Sequence, residues 1–140
     1  MGLENGFIVK GLTDRGKRYL KDKWKDSYDE DFKGYDFGYF RKFWGLRREI
    51  VEILPPCPKD EEGYEIGDYV LTMKDIEDIL QILKENLNEH IYEQRESLWN
   101  YHIGIKPIAN AIYKLTELVE DIEYGFLEET DVEVTFYDSY

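Results

Sequence analysis

Apolar side chains recur every three to four residues in three long segments of the chain, and this spacing predicts three amphipathic helices. The predicted helices span 39–54, 73–90 and 107–124. A Pro-Pro pair closes the first helix, because proline cannot donate the next backbone hydrogen bond. Thr72 precedes the second helix as an N-cap, and Gly125 follows the third as a C-terminal stop.

Three other segments have weaker patterns. Residues 12–25 are predicted as a helix that begins after Thr13 or Asp14, both of which are good N-caps. Residues 89–104 are ambiguous: 98–103 could be helical, and Pro107 then either starts a new helix as its first residue or kinks a longer one. Residues 26–38 mix aspartate, glycine and tyrosine, and this composition predicts a loop.

Short runs rich in β-branched and aromatic residues predict strands at 6–11, 68–71 and 132–137. The last run alternates apolar and polar residues, which is the pattern of a strand with one buried face. Because a single strand needs a partner, we expect the first and last strands to pair. The predicted fold is α+β, with three or four helices packed on a small sheet formed by the N- and C-terminal strands. A helical bundle with a marginal hairpin is the alternative.

The length and composition indicate one domain over 1–140. The chain has 140 residues, which is close to the commonest domain size, and 42% of them are hydrophobic. Aromatic residues make up 16% of the chain, which is enough for a packed core. Such a composition excludes a disordered chain.

Negative charge is concentrated in the second part of the chain. The formal net charge is −13. Residues 1–54 hold 12 Lys and Arg against 10 Asp and Glu, whereas residues 55–140 hold 6 against 21. Direct binding of nucleic acid by the second part is therefore excluded, since phosphates require cations. An acidic surface favours a basic partner protein or serves solubility.

The carboxylates at helical spacing in the second and third long helices are the predicted partner-binding residues. They could present anionic rows that imitate a phosphate backbone to a nucleic-acid-binding protein. The set comprises Glu77, Asp78, Glu85, Glu89, Glu117, Glu120, Asp121 and Glu123.

Two further surface patterns are candidates for binding. The stretch 15–25 is basic with interleaved aromatics, which is typical of nucleic-acid binding but also of a helix that forms salt bridges with the acidic half. Several tyrosines lie outside the apolar stripes, and exposed tyrosine is common at protein-binding surfaces. These tyrosines are Tyr28, Tyr35, Tyr64, Tyr92, Tyr137 and Tyr140.

No catalytic, cofactor or metal site is predicted. His90 and His102 are the only histidines, and no HExxH motif or Glu-x-x-His pair accompanies them. The loop 29–40 begins like a calcium loop but ends in Phe40 instead of the required glutamate. Cys57 lies between prolines, where nothing activates a thiol.

Four short segments resemble a loose family of small, uncharacterised phage and prophage proteins. They are 1–3 (Met-Gly-Leu), 39–42 (Tyr-Phe-Arg-Lys), 69–72 (Tyr-Val-Leu-Thr) and 136–140 (Phe-Tyr-Asp-Ser-Tyr). The family carries the second segment as Tyr-Trp-Arg-Lys at the start of a helix and ends in an aromatic-Ser-aromatic tail. The resemblance implies a bacteriophage context and no assigned activity or catalytic residues.

The leading hypothesis is a non-enzymatic protein-interaction module that acts as an acidic, DNA-mimic-like inhibitor of a host nucleic-acid-binding protein. The alternatives are a structural homo-oligomer and, third, a small-ligand-binding protein or enzyme. The chain shows neither a signal-peptide pattern nor an apolar run of the roughly 20 residues that a membrane span needs. We therefore expect a location in the bacterial cytoplasm.

Overall fold

The computed structural model describes residues 4–24, 34–41, 43–56, 59, 61–63, 67–94 and 105–139, with the backbone alone for 89–94. This part of the chain forms four strands, four helices and one 3₁₀ turn. In chain order they are β1 (Glu4–Gly11), α1 (Asp14–Lys23), β2 (Gly34–Arg41), α2 (Trp44–Ile53), β3 (Asp68–Leu71), α3 (Met73–Gln94), α4 (Lys106–Glu123), the 3₁₀ turn (Glu129–Asp131) and β4 (Val132–Ser139).

The four strands form one antiparallel sheet in the order β2-β1-β4-β3. Its centre is the pair of β1 and β4, which align from Glu4 opposite Ser139 to Gly11 opposite Val132. The predicted pairing of the first and last strands and the α+β class are therefore confirmed. One hydrophobic core contains side chains from all four strands and all four helices, so the helices cover a single face of the sheet.

A row of aromatic rings crosses the buried face of the sheet. Tyr69, Phe136, Phe7 and Phe37 lie directly opposite one another on β3, β4, β1 and β2. Successive ring centroids are 6.2, 5.3 and 5.6 Å apart, which is within the range of favourable aromatic pairs. Because alternate residues of a strand share a face, one aromatic at the right register on each strand is sufficient to build this row.

The predicted helix boundaries depend on capping, and three of them are confirmed. The Thr13 hydroxyl accepts the Gly16 N–H at the start of α1. At the start of α3, Thr72 and Asp75 exchange hydrogen bonds of 3.0 and 3.1 Å between side chain and backbone. Gly125 follows α4 with a φ of +83°, a left-handed conformation that glycine adopts without a steric penalty. Helix α3 continues to Gln94, beyond the predicted end.

The prediction of a helix from residue 39 and of a loop up to residue 38 is wrong. Residues 34–41 form β2, and the helix begins only at Trp44. The cause is a bulge at Gly38, which has a φ of +67° and shifts the pairing between β1 and β2. Tyr35 and Phe37 before the bulge and Phe40 after it all face the core, so the period of two is broken.

The same correction applies to the described part of the Tyr-Phe-Arg-Lys segment, residues 39–41, which end a strand and do not open a helix. Gly38 also allows α4 to pack closely on β2. A Cβ at this position would lie only 2.7 Å from the Cβ of Ala111 on α4. The predicted loop residues 26–33 lie outside the described residues.

A buried polar cluster joins the end of the sheet to α2. The Asn5 amide donates to Asp138 Oδ1 at 2.8 Å, and Arg47 Nη2 lies 2.7 Å from Asp138 Oδ2. Asp138 is almost fully buried, and a buried carboxylate is tolerated only when it is paired. Asn5 also lies opposite Phe40 of β2, so β2 and β4 flank this residue on either side of β1.

Replacing Phe136 with alanine removes the ring that joins Phe7 to Tyr69 and leaves a cavity at the sheet centre. We expect a loss of about 3–5 kcal/mol in the free energy of unfolding, measured by urea denaturation. Val70→Ala is the matched control, because Val70 is 60% exposed on the neighbouring strand, and it is expected to cost under about 0.5 kcal/mol. Equal losses in the two variants would contradict the role of the aromatic row.

Candidate functional site

The predicted partner-binding carboxylates are divided between α3 and α4. Glu77, Asp78 and Glu85 lie on the outer side of α3, whose opposite side carries the buried Ile76, Ile79 and Leu83. Four others lie in the second half of α4, at positions 117, 120, 121 and 123. The Glu89 side chain is outside the described residues.

Two of the α4 carboxylates are bound by α1. Lys23 Nζ lies 3.3 Å from Asp121 Oδ2 and 3.9 Å from Glu117 Oε1. The Tyr19 hydroxyl donates to Asp121, and burial, followed by this carboxylate, raises the pKa of Tyr19 above its ordinary value. Glu117 also accepts a hydrogen bond from Tyr113. The interpretation of the basic stretch as a salt-bridging helix is thus confirmed.

The remaining predicted carboxylates differ in how they are compensated. Asp78 lies 3.0 Å from Lys74 Nζ one turn earlier, and Glu85 accepts a hydrogen bond from Gln81. Glu77, Glu120 and Glu123 are exposed, and within the described ranges their carboxylates have neither a hydrogen-bond partner nor a cation. These three residues are therefore the strongest members of the predicted set.

The segment 117–131 is the most acidic part of the described chain. It contains seven Asp and Glu and no Lys or Arg. Glu128 and Glu129, which the sequence analysis did not select, are exposed here beside the end of α4. The sequence shows these two residues as part of a run of acidic residues. They were not predicted as partner-binding residues because that prediction used only carboxylates at helical spacing.

Besides Glu117, Asp121 and Glu128, whose side chain caps the 3₁₀ turn, Asp131 also has a structural role in this segment. Its side chain accepts hydrogen bonds from the Glu128 N–H at 2.8 Å and from the Thr13 hydroxyl at 2.7 Å, and Arg15 lies 3.7 Å away. These contacts, the Glu128 N–H first, hold the pKa of Asp131 below its usual value of 3.8. The backbone carbonyl of Asp131 lies so close to Gly16 of α1 that a Cβ there would collide with it.

An apolar pocket of about 260 Å³ opens beside the acidic segment. It lies where the start of α3 meets the end of α4, above β3 and β4. Its walls are apolar and its mouth carries Thr72, Glu129 and Thr130. The apolar lining consists of Leu71, Met73, Ile76, Leu118, Ile122, Val132 and Val134.

A second, larger groove of about 410 Å³ lies between α1 and the end of α4. It is lined by charges of both signs, including Arg18 and Asp22, and by the exposed ring of Phe126. The ion pair between Lys23 and Asp121 lies within it. Because these charges compensate each other, the groove does not add to the anionic surface.

The tyrosine prediction is wrong for Tyr35, which is 2% exposed and packs between Phe37 and Trp24. Tyr137 is half-buried on the open face of the sheet, and the other four predicted tyrosines have no described side chain. Among the side chains that the structure describes, the most exposed aromatic rings are instead Tyr124 and Phe126, directly after α4. They follow the end of α4, where the helical spacing of apolar residues no longer predicts which side chains are exposed.

The described residues form neither a metal-binding cluster nor a membrane-spanning helix. Among the residues described, no three His, Cys, Asp or Glu side chains are grouped to hold a metal ion, and His102, Cys57 and the His90 side chain fall outside them. No helix in the described ranges is long and apolar enough to span a bilayer. No family model, curated protein or solved structure matches the chain.

Thr13→Val removes one of the donors to Asp131, so the pKa of this carboxyl should rise towards its usual value. Because the folded-state pKa is depressed, ionised Asp131 stabilises the fold above about pH 4, and this contribution is lost as the pH falls through the folded-state pKa. We therefore expect the variant to lose less stability than the wild type on acidification. Carboxyl NMR titration and acid unfolding measure the two effects.

Thr72→Val is the matched control for this experiment, because it also removes an N-cap hydroxyl. It should lower stability by a similar amount at neutral pH, about 1 kcal/mol, and leave the titration of Asp131 unchanged. An unchanged Asp131 titration in Thr13→Val would contradict the assigned cause of the shift.

Proposed function

We propose that this protein is a non-enzymatic interaction module whose acidic surface binds a basic partner protein. The observation that supports the proposal is the run of seven carboxylates and no cations over 117–131, from which Glu120, Glu123 and Glu129 remain exposed and uncompensated. We call these three residues, together with Glu77, the acidic rim.

The packing of α1 supports this reading. Its cations Arg15 and Lys23 are directed to Asp131, Asp121 and Glu117. They therefore tie α1 to the 3₁₀ turn and to α4, and among the described residues their ion pairs are with carboxylates outside the rim. With a net charge of −13, the molecule produces a negative field that accelerates encounter with a basic surface and repels nucleic acid.

In the phage context that the sequence resembles, the partner is a host nucleic-acid-binding protein and the module is its inhibitor. Glu120 and Glu123 are three residues apart on α4 and so lie on the same side of the helix. Exposed carboxylates in such a row can occupy cation sites that otherwise hold phosphates. Binding of this kind depends strongly on ionic strength, because surface charges are screened by salt.

The double variant Glu120→Lys/Glu123→Lys tests the proposal in capture from a bacterial lysate. We expect the wild type to retain a basic protein at low salt and release it at high salt, and the variant to fail to retain it. Glu52→Lys/Asp68→Lys makes the same charge change at exposed positions on α2 and β3 and is expected to retain the protein. The proposal would be contradicted if retention of the basic protein did not depend on salt, or if both double variants lost it equally.

Self-assembly is a second candidate, favoured by the exposed apolar side chain of Val70. This residue is 60% exposed on β3, which lies at an edge of the sheet, and an exposed edge strand is a template for pairing with another chain. If the chain assembles through this edge, sedimentation equilibrium should show an oligomer for the wild type and a monomer for Val70→Lys. A monomeric wild type at all concentrations removes this candidate.

A further inference from the structure

The pocket between α3 and α4 shares Glu129 with the acidic rim. Glu129 lines the mouth of the pocket itself. Glu77 follows the lining residue Ile76, and Glu123 follows the lining residue Ile122. Both carboxylates are exposed. The apolar cavity therefore opens beside the uncompensated charge of Glu129, with Glu77 and Glu123 one residue beyond its lining on α3 and α4.

The volume of the pocket indicates the size of its occupant. About 260 Å³ is below the roughly 300–1,000 Å³ of typical small-molecule sites. It suits a single apolar side chain of the kind that anchors protein interfaces in a desolvated pocket. The walls include Met73, whose flexible thioether adapts to the shape of an inserted group.

The charge around the pocket indicates what flanks that side chain. In the described part of α3, Lys74 is the cation nearest in sequence to the lining residue Met73, and it is already paired with Asp78. An acidic peptide, a nucleic acid or a fatty-acid carboxylate would meet repulsion from the rim. Lysine or arginine beside the anchor would meet attraction from Glu129, and salt would weaken this attraction because the carboxylate is exposed.

We infer that this pocket receives an apolar side chain from a lysine- and arginine-rich segment of the partner protein. The inference rests on the proposed function and specifies the chemistry of its partner. The rim accounts for attraction and fast encounter, and the pocket accounts for selection among basic proteins, because a negative field alone does not discriminate between them.

Selection from a displayed library of random peptides on the immobilised full chain tests the inference. We expect enriched peptides to contain one large apolar residue flanked by lysine or arginine. Replacing that residue with alanine in a synthetic copy should weaken binding about 30-fold, as for other anchors, measured by calorimetry. The peptide substitution needs no protein variant, so the test does not depend on whether a variant folds.

Two protein variants separate the pocket from the rim. Thr130→Trp places a large side chain at the exposed mouth of the pocket and should abolish the effect of the peptide's apolar residue. Glu123→Lys/Glu129→Lys should instead reduce binding of every basic peptide, with a smaller dependence on salt. Asp68→Lys, on the opposite face of the sheet, is the control for a change of charge and should bind as the wild type does.

The outcomes distinguish the two proposals. Basic peptides that bind Thr130→Trp as well as the wild type, and tolerate loss of the apolar residue, would overturn the pocket inference and leave the acidic-surface function intact. Apolar peptides without basic residues would overturn the inferred occupant and count against the proposed function. An absence of any enriched peptide would overturn the inference.

Discussion

The aromatic row across the sheet is the contact on which the rest of the structure depends. Each strand contributes one ring, and the two inner rings belong to the first and last strands in sequence, β1 and β4. The row forms the apolar surface on which the helices pack. Helix α4 lies so close to β2 that position 38 must be glycine. The position of α4 in turn sets where its acidic second half reaches the surface.

The carboxylates of the acidic half of the chain do not contribute equally to the surface charge. Lys23 of helix α1 offsets one of the two negative charges of Glu117 and Asp121, and the Asp131 side chain accepts a hydrogen bond from Thr13 at the start of the same helix. The carboxylates that remain uncompensated are those of the acidic rim, one of which, Glu129, lines the apolar pocket. A patch of mixed character is better suited to selecting one partner than a large field is, since specificity requires both attraction and shape.

Much of the fold follows from local rules, whereas the candidate site does not. The caps at Thr13, Thr72 and Gly125 and the alternation in β4 are local signals, and the structure agrees with them. The strand that contains Gly38 could not be predicted from a period of two, because the extra residue of the bulge changes which side chains face the core. The pocket joins residues from β3 to β4 that are more than 60 positions apart, so no window of sequence contains it.

The adjacency of β1 and β4 has a consequence for how the chain is made. About 120 residues separate the end of β1 at Gly11 from the start of β4 at Val132. At typical synthesis rates the ribosome needs roughly 6 to 24 s to supply them, during which β1 has no central partner. β2 is available to pair with β1 much earlier, but the edge of β1 that binds β4 stays unpaired for this time, and the four-stranded sheet is complete only once translation has passed β4.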